Sequence, residues 1–166
     1  IKSKGEMDKA IAMYDDVLSY DPKLYQAHYQ AGRIYQQKGN HSEAINRFDK
    51  ALLIDKNQPK ILFQKGRSFK EMGDFNNAIQ TFEQAVSLDE KYYIAYKNIG
   101  DIYLDQKNYP EAIQALNLAI KYDNKLKTTS YLSLANAYNG QNSYVKTIDL
   151  LIKDDPANKF DNNLYY

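Results

Sequence analysis

The sequence predicts an all-α fold, a solenoid of stacked antiparallel helix pairs, and three observations predict it. Gly32, Gly66 and Gly100 stand 34 residues apart. The residues around them recur in the same register, and within each copy the apolar residues follow helical spacing. A chain of this kind works as a binding scaffold.

Counting units from Tyr25, Pro59, Tyr93 and Thr128, a small column runs through Gly32, Gly66, Gly100 and Ala135. An aromatic column follows in Tyr35, Phe69, Tyr103 and Tyr138. The next small column is Ala10, Ala44, Ala78 and Ala112, with Thr147 closing it. Large residues come next, Tyr14, Phe48, Phe82, Leu116 and Leu151, and then Val17, Ala51, Ala85 and Ala119. Large against small at fixed spacing is what interdigitating helices require.

Each unit reads as two helices. In the second, residues such as Ala44, Ile45, Phe48, Ala51 and Leu52 share one face. The junction column is Gly5, Gly39, Gly73, Lys107 and Asn142, rich in residues that tolerate the left-handed conformation closing a helix. Behind it stand Glu6, Asn40, Asp74, Asn108 and Ser143, mostly N-cap types. Asn40 with Glu43 and Asn108 with Glu111 have capping-box spacing, and Pro110 falls in a first turn, where a missing N–H costs nothing.

These columns resemble the tetratricopeptide repeat. Repeat two carries the pattern on Gly32, Tyr35, Ala44, Phe48 and Ala51, repeat three on Gly66, Phe69, Ala78, Phe82 and Ala85, and repeat four on Tyr96, Ile99, Gly100, Tyr103, Ala112 and Ala119. The resemblance implies a right-handed superhelix over residues 1–155. Within it, residues 1–24 are a partial repeat with a second helix only, at about Glu6 to Tyr20. Residues 25–58, 59–92 and 93–126 are full repeats, 127–155 is a divergent one, and 156–166 form a C-terminal tail with no clear period. The partial repeat reads as a fragment of a longer protein. Two departures stand out: the closing proline is kept only at Pro22, and Lys65 occupies a normally apolar position.

Composition narrows the function classes. With 43% hydrophobic residues the chain has apolar surface for a continuous core, and a net charge of +1 lacks the basic excess of a nucleic-acid surface. No apolar run is long enough to span a bilayer, and the lack of cysteine removes thiol chemistry. The default location is cytoplasmic. His28 and His41 have no second ligand at metal spacing, and Asp15-Asp16 and Asp154-Asp155 are adjacent residues that point apart on a helix. The sequence therefore predicts no catalytic group, no metal and no cofactor. The sequon Asn40-His41-Ser42 falls on a helix cap, and capping is the reading taken.

The family resemblance implies a concave groove lined by first helices. Carried onto this chain, it contains Gln26, Tyr29, Gln30 and Arg33 of repeat two and Lys60, Phe63, Gln64, Arg67 and Lys70 of repeat three. Repeat four adds Lys97, Asn98 and Asp101, and repeat five adds Asn136. Gln30, Gln64, Asn98 and Ser133 form a polar ladder able to hydrogen-bond an extended backbone. Arg33 and Arg67, beside Tyr29 and Phe63, suit an acidic or aromatic-containing segment. The carboxylate clamp of chaperone-binding family members is matched only by Asn98, so that function is not expected. The predicted function is a non-enzymatic scaffold holding a protein or an extended peptide segment, acidic ones included, or joining a larger assembly. The alternative is a substrate-guiding arm of an enzyme whose catalytic domain lies elsewhere.

Overall fold

A computed structural model describes residues 4–123, 127–147 and 149. The expected tail, the Asp154-Asp155 pair and Leu151 of the large column lie outside them. The described helices are α1 (Lys4–Tyr20), α2 (Tyr25–Gln37), α3 (His41–Ile54), α4 (Pro59–Glu71), α5 (Phe75–Leu88), α6 (Tyr93–Asp105), α7 (Tyr109–Tyr122) and α8 (Lys127–Gly140). Residues 144–147 are helical again. The fold is all-α, with no strand among the described residues, and belongs to the class of stacked antiparallel helix pairs. None of these helices is long and apolar enough to cross a membrane.

The turns inside the pairs follow one design. Gly39 and Gly73 have φ of +76° and +77°, and Lys107 and Asn142 reach 59° and 58° without being glycine. The left-handed residue lets the next N–H reach back to the aromatic column. Asn40 N donates to the Tyr35 carbonyl at 2.9 Å, Asp74 N to Phe69 at 2.9 Å, Asn108 N to Tyr103 at 2.8 Å and Ser143 N to Tyr138 at 2.9 Å. This is the closure in which two residues past the helix satisfy its last carbonyls.

Capping differs in part from the sequence expectation. Asn40 Oδ1 accepts from Glu43 N and Asp74 Oδ1 from Asn77 N, each at 3.2 Å. The Glu43 carboxylate turns instead to Asn46 and Arg47, so the reciprocal half of a capping box is missing. Asn108 makes no side-chain cap bond, and Pro110 has already removed one of the amides such a cap would serve. Gly5 lies inside α1, whose described part already includes Lys4, ahead of the expected Glu6.

Two compact units divide the chain at Asp89 and Glu90. In residues 1–89, the glycine column sets how closely the pairs pack. A Cβ on Gly32 would stand 2.6 Å from Phe48 Cε1, and one on Gly66 2.7 Å from Phe82 Cδ1, so only glycine admits the phenyl ring against the first helix. Ala44, Phe48, Ala51, Ala78, Phe82 and Ala85 are fully buried. Burial of such a phenyl ring is worth about 1.5–3 kcal/mol. Helix α1 is tied on by charge: Asp8 pairs with Lys38, and Asp15 with Arg47 at 2.6 Å. Its Val17 stays 42% exposed where Ala51 and Ala85 of the same column are covered. Lys65 is accommodated by an ion pair with Asp49 at 2.6 Å and by the Phe69 ring, 5.6 Å from its ammonium.

The described residues from Glu90 onward repeat the plan with an aliphatic partner. A Cβ on Gly100 would meet Leu116 Cγ at 2.6 Å, and Leu116 packs with Ala112, Leu134 and Ala137. Thr147 is buried in the alanine column because its hydroxyl reaches Asn139 Oδ1 at 2.9 Å.

Candidate functional site

In residues 1–89 the candidate residues sit on α2 and α4. Two of them, Tyr29 and Phe63, lie on these helices as expected but are largely covered. Tyr29 and Phe63 are buried, with rings tilted against Phe48 and Phe82 at centroid distances of 6.1 and 5.6 Å. Each stands three residues before its glycine, so it covers the edge of the ring that the glycine admits. Most of each ring is packed in the core.

The arginines remain at the surface, in matching environments. Arg33 Nη1 donates to Gln30 Oε1 at 3.4 Å, and Arg67 Nη1 to Gln64 Oε1 at 3.2 Å. The two glutamines of the predicted ladder thus orient the two guanidiniums. Arg33 and Gln30 are half-buried, Arg67 is exposed, and Gln26 and Lys60 are exposed nearby. The Arg33 guanidinium and the Lys60 ammonium lie 5.8 and 5.6 Å from the Tyr29 ring centre, within cation–π range. The buried Tyr29 hydroxyl has no hydrogen-bond partner.

Arg33 and Arg67 line one depression of about 450 Å3, with Gln36, His41, Gln64 and Glu71. Most ion pairs among the described residues neutralise a lysine or arginine elsewhere: Lys38, Arg47, Lys65 and Lys97. Neither Arg33 nor Arg67 has a salt bridge among those residues. Sequence reasoning missed the bond that joins α2 to α4 here. Gln36 Nε2 donates both to the Gln64 carbonyl at 2.8 Å and to the Ser68 hydroxyl at 3.0 Å, and Ser68 is fully buried. A signal existed: Ser68 interrupts a column otherwise filled by Ile34 and Ile102.

A second depression, about 500 Å3, is lined by α3, α4 and α5, with Leu52, Leu53, Leu62 and Leu88 around the Asp49–Lys65 pair. It lacks converging unpaired charges. His28 is half-buried away from both depressions; burial first, and then Arg47 and Lys50, lower its pKa, while the Pro22 carbonyl and Asp15 pull the other way. No group of three or more His, Cys, Asp or Glu able to hold a metal occurs among the described residues.

In residues 90–166 the charged candidates are engaged with each other. Lys97 pairs with Asp101 at 2.6 Å, and the other Asp101 oxygen accepts from Ser133 at 2.8 Å, which links α6 to α8. Asn98 Nδ2 donates to the Ile94 carbonyl of its own helix at 2.8 Å, and Asn136 is exposed. Tyr96 stacks on Tyr122 at 6.0 Å, and burial, then Tyr122 and Glu90, push its hydroxyl pKa up.

Among curated proteins no sequence matches significantly. Solved structures do match. MamA superposes with a TM-score of 0.82 at 24% identity, over 92% of this chain and 91% of that one. YrrB, described as a TPR protein with an unusual peptide-binding site, superposes with a TM-score of 0.73 at 22% identity, over 93% and 80%. PilF of Pseudomonas aeruginosa gives 0.75 at 21%, over 90% and 69%. At these identities the likeness is one of fold. Two family models, each described as tetratricopeptide repeat, match residues 3–62 and 63–125 in succession. The chain belongs to the tetratricopeptide repeat family.

Proposed function

We propose that the chain is a protein-interaction scaffold whose α2–α4 face binds an extended, acidic peptide segment. Tetratricopeptide repeats are interaction scaffolds, and the finer reading rests on one observation. Arg33 and Arg67 converge on one depression, each oriented by a glutamine and neither neutralised by a carboxylate. A pre-oriented guanidinium makes forked, charge-assisted hydrogen bonds to a carboxylate at little further entropic cost. YrrB supplies a relative of this fold with a peptide site.

The reading assigns no reaction to the face. A fluorescent peptide alternating Glu with small residues, titrated with the chain at several salt concentrations, tests it. Saturable binding that weakens as ionic strength rises is expected. Binding no tighter than that of a matched lysine peptide contradicts it.

A further inference from the structure

The α2–α4 face holds the same motif twice. Gln30-Ala31-Gly32-Arg33 and Gln64-Lys65-Gly66-Arg67 differ at one position, and in both the arginine donates to the glutamine three residues before it, at 3.4 and 3.2 Å. Each guanidinium is therefore carried in the same way by its own helix. The spacing between them then follows the spacing of the helices. That spacing is fixed by Gln36, whose amide of α2 is bonded to the Gln64 carbonyl and the buried Ser68 hydroxyl of α4. Packed helices lie about 8–10 Å apart.

From this repeated, locked pair we propose that the face acts as a ruler for acidic residues, selecting a polyproline-II-like segment with the pattern acid-x-x-acid. The inference rests on the acidic-peptide reading above and adds the spacing. A ligand crossing the two helices must present two carboxylates on one side, about 8–10 Å apart. A β-strand puts same-side residues about 6.6 Å apart for i, i+2 and about 13 Å for i, i+4, one too short and one too long. A polyproline II helix has three residues per turn and rises about 3.1 Å per residue, so i and i+3 share a side about 9.3 Å apart. An α-helix reaches about 10.5 Å only at i, i+7. The polyproline form has no internal hydrogen bonds, so its backbone groups are open to side-chain amides such as those of Gln30 and Gln64, and it is ordered before binding. Glu71, the one carboxylate lining the depression, disfavours a run of acids crowded together. Two separated acids fit better.

The test uses four blocked fluorescent peptides of identical composition, proline-rich, with two glutamates at i, i+2, at i, i+3, at i, i+4 or at i, i+7. Each is titrated with the full chain at low salt. The i, i+3 peptide is expected to bind about tenfold tighter than the other three, because it alone lets both arginines form a charge-assisted hydrogen bond at once. Arg33→Gln and Arg67→Gln should each level the series while circular dichroism stays unchanged. Equal affinities across the series would overturn the ruler and leave acidic-peptide binding standing. Tightest binding at i, i+7 would overturn it as well, because in a proline-rich peptide those two glutamates stand about 22 Å apart. Absence of binding by all four would overturn the ruler together with the acidic-peptide reading.

Discussion

Gly66 and Phe82 approach so closely that a Cβ on the glycine would stand 2.7 Å from the phenyl Cδ1 and Cε1. Phe82 is fully buried, so its ring cannot swing into solvent to make room. Gly66→Ala is therefore expected to overpack the core and cost about 1–3 kcal/mol. Gly5 provides the control, because it is helical and nothing lies within 4 Å of an added Cβ. Gly5→Ala should cost nothing and add up to about 1 kcal/mol of stability. Denaturant midpoints of the two variants check this; equal shifts in the same direction would contradict it.

Lys107 occupies, at φ 59°, the turn position that Gly39 and Gly73 fill in the preceding repeats. A non-glycine residue there carries a steric cost of about 1–2 kcal/mol, partly offset by the larger entropy glycine has when unfolded. Lys107→Gly should raise stability by about 0.5–1 kcal/mol. Thermal unfolding measures it. A lowered midpoint would mean that the lysine side chain contributes more than its strain costs.

His28 gives the fold a pH dependence of definite sign. Its pKa is lowered in the folded chain, by burial first and then by Arg47 and Lys50. The unfolded chain therefore takes up this proton at higher pH than the folded chain does. The stability contribution is full above the unfolded histidine value of about 6.5 and is lost as pH falls below it toward the folded value. Replacing His28 with Gln should flatten the unfolding free energy in that window. An unchanged pH slope in His28→Gln would assign the dependence to another group.

Much of the fold was legible because its determinants are periodic. The glycine and alanine columns are packing positions, and the aromatic column supplies the carbonyls that close the first helices, so one register encodes both packing and turns. The candidate face was legible only in part. Position along a helix places Tyr29 and Phe63 on the α2–α4 face, yet a first helix also packs on its own second helix, and a bulky ring one turn from a glycine falls into that seam. Gln36 was missed for the opposite reason. Its partners, the Gln64 carbonyl and the Ser68 hydroxyl, belong to the next helix pair, and no local pattern announces a side-chain-to-backbone bond across helices. Lys97 and Asp101, expected as groove charges, neutralise each other one turn apart.

Arg33 and Arg67 are the working surface of the proposed binding face. Charge reversal of both, Arg33→Glu with Arg67→Glu, should abolish binding of the acidic i, i+3 peptide. Lys9 and Lys50 are exposed cations on the second helices α1 and α3, and reversing them makes the same change in net charge. That control should lower affinity by no more than a few-fold, since exposed charges beyond about 10 Å are largely screened at ordinary salt. Anisotropy titrations of both double variants, with circular dichroism to verify the helices, make the comparison. Loss confined to the arginine pair is the predicted result. Equal loss in both pairs, or unchanged affinity in the arginine pair with its helices intact, would contradict the account and place the binding surface elsewhere on the chain.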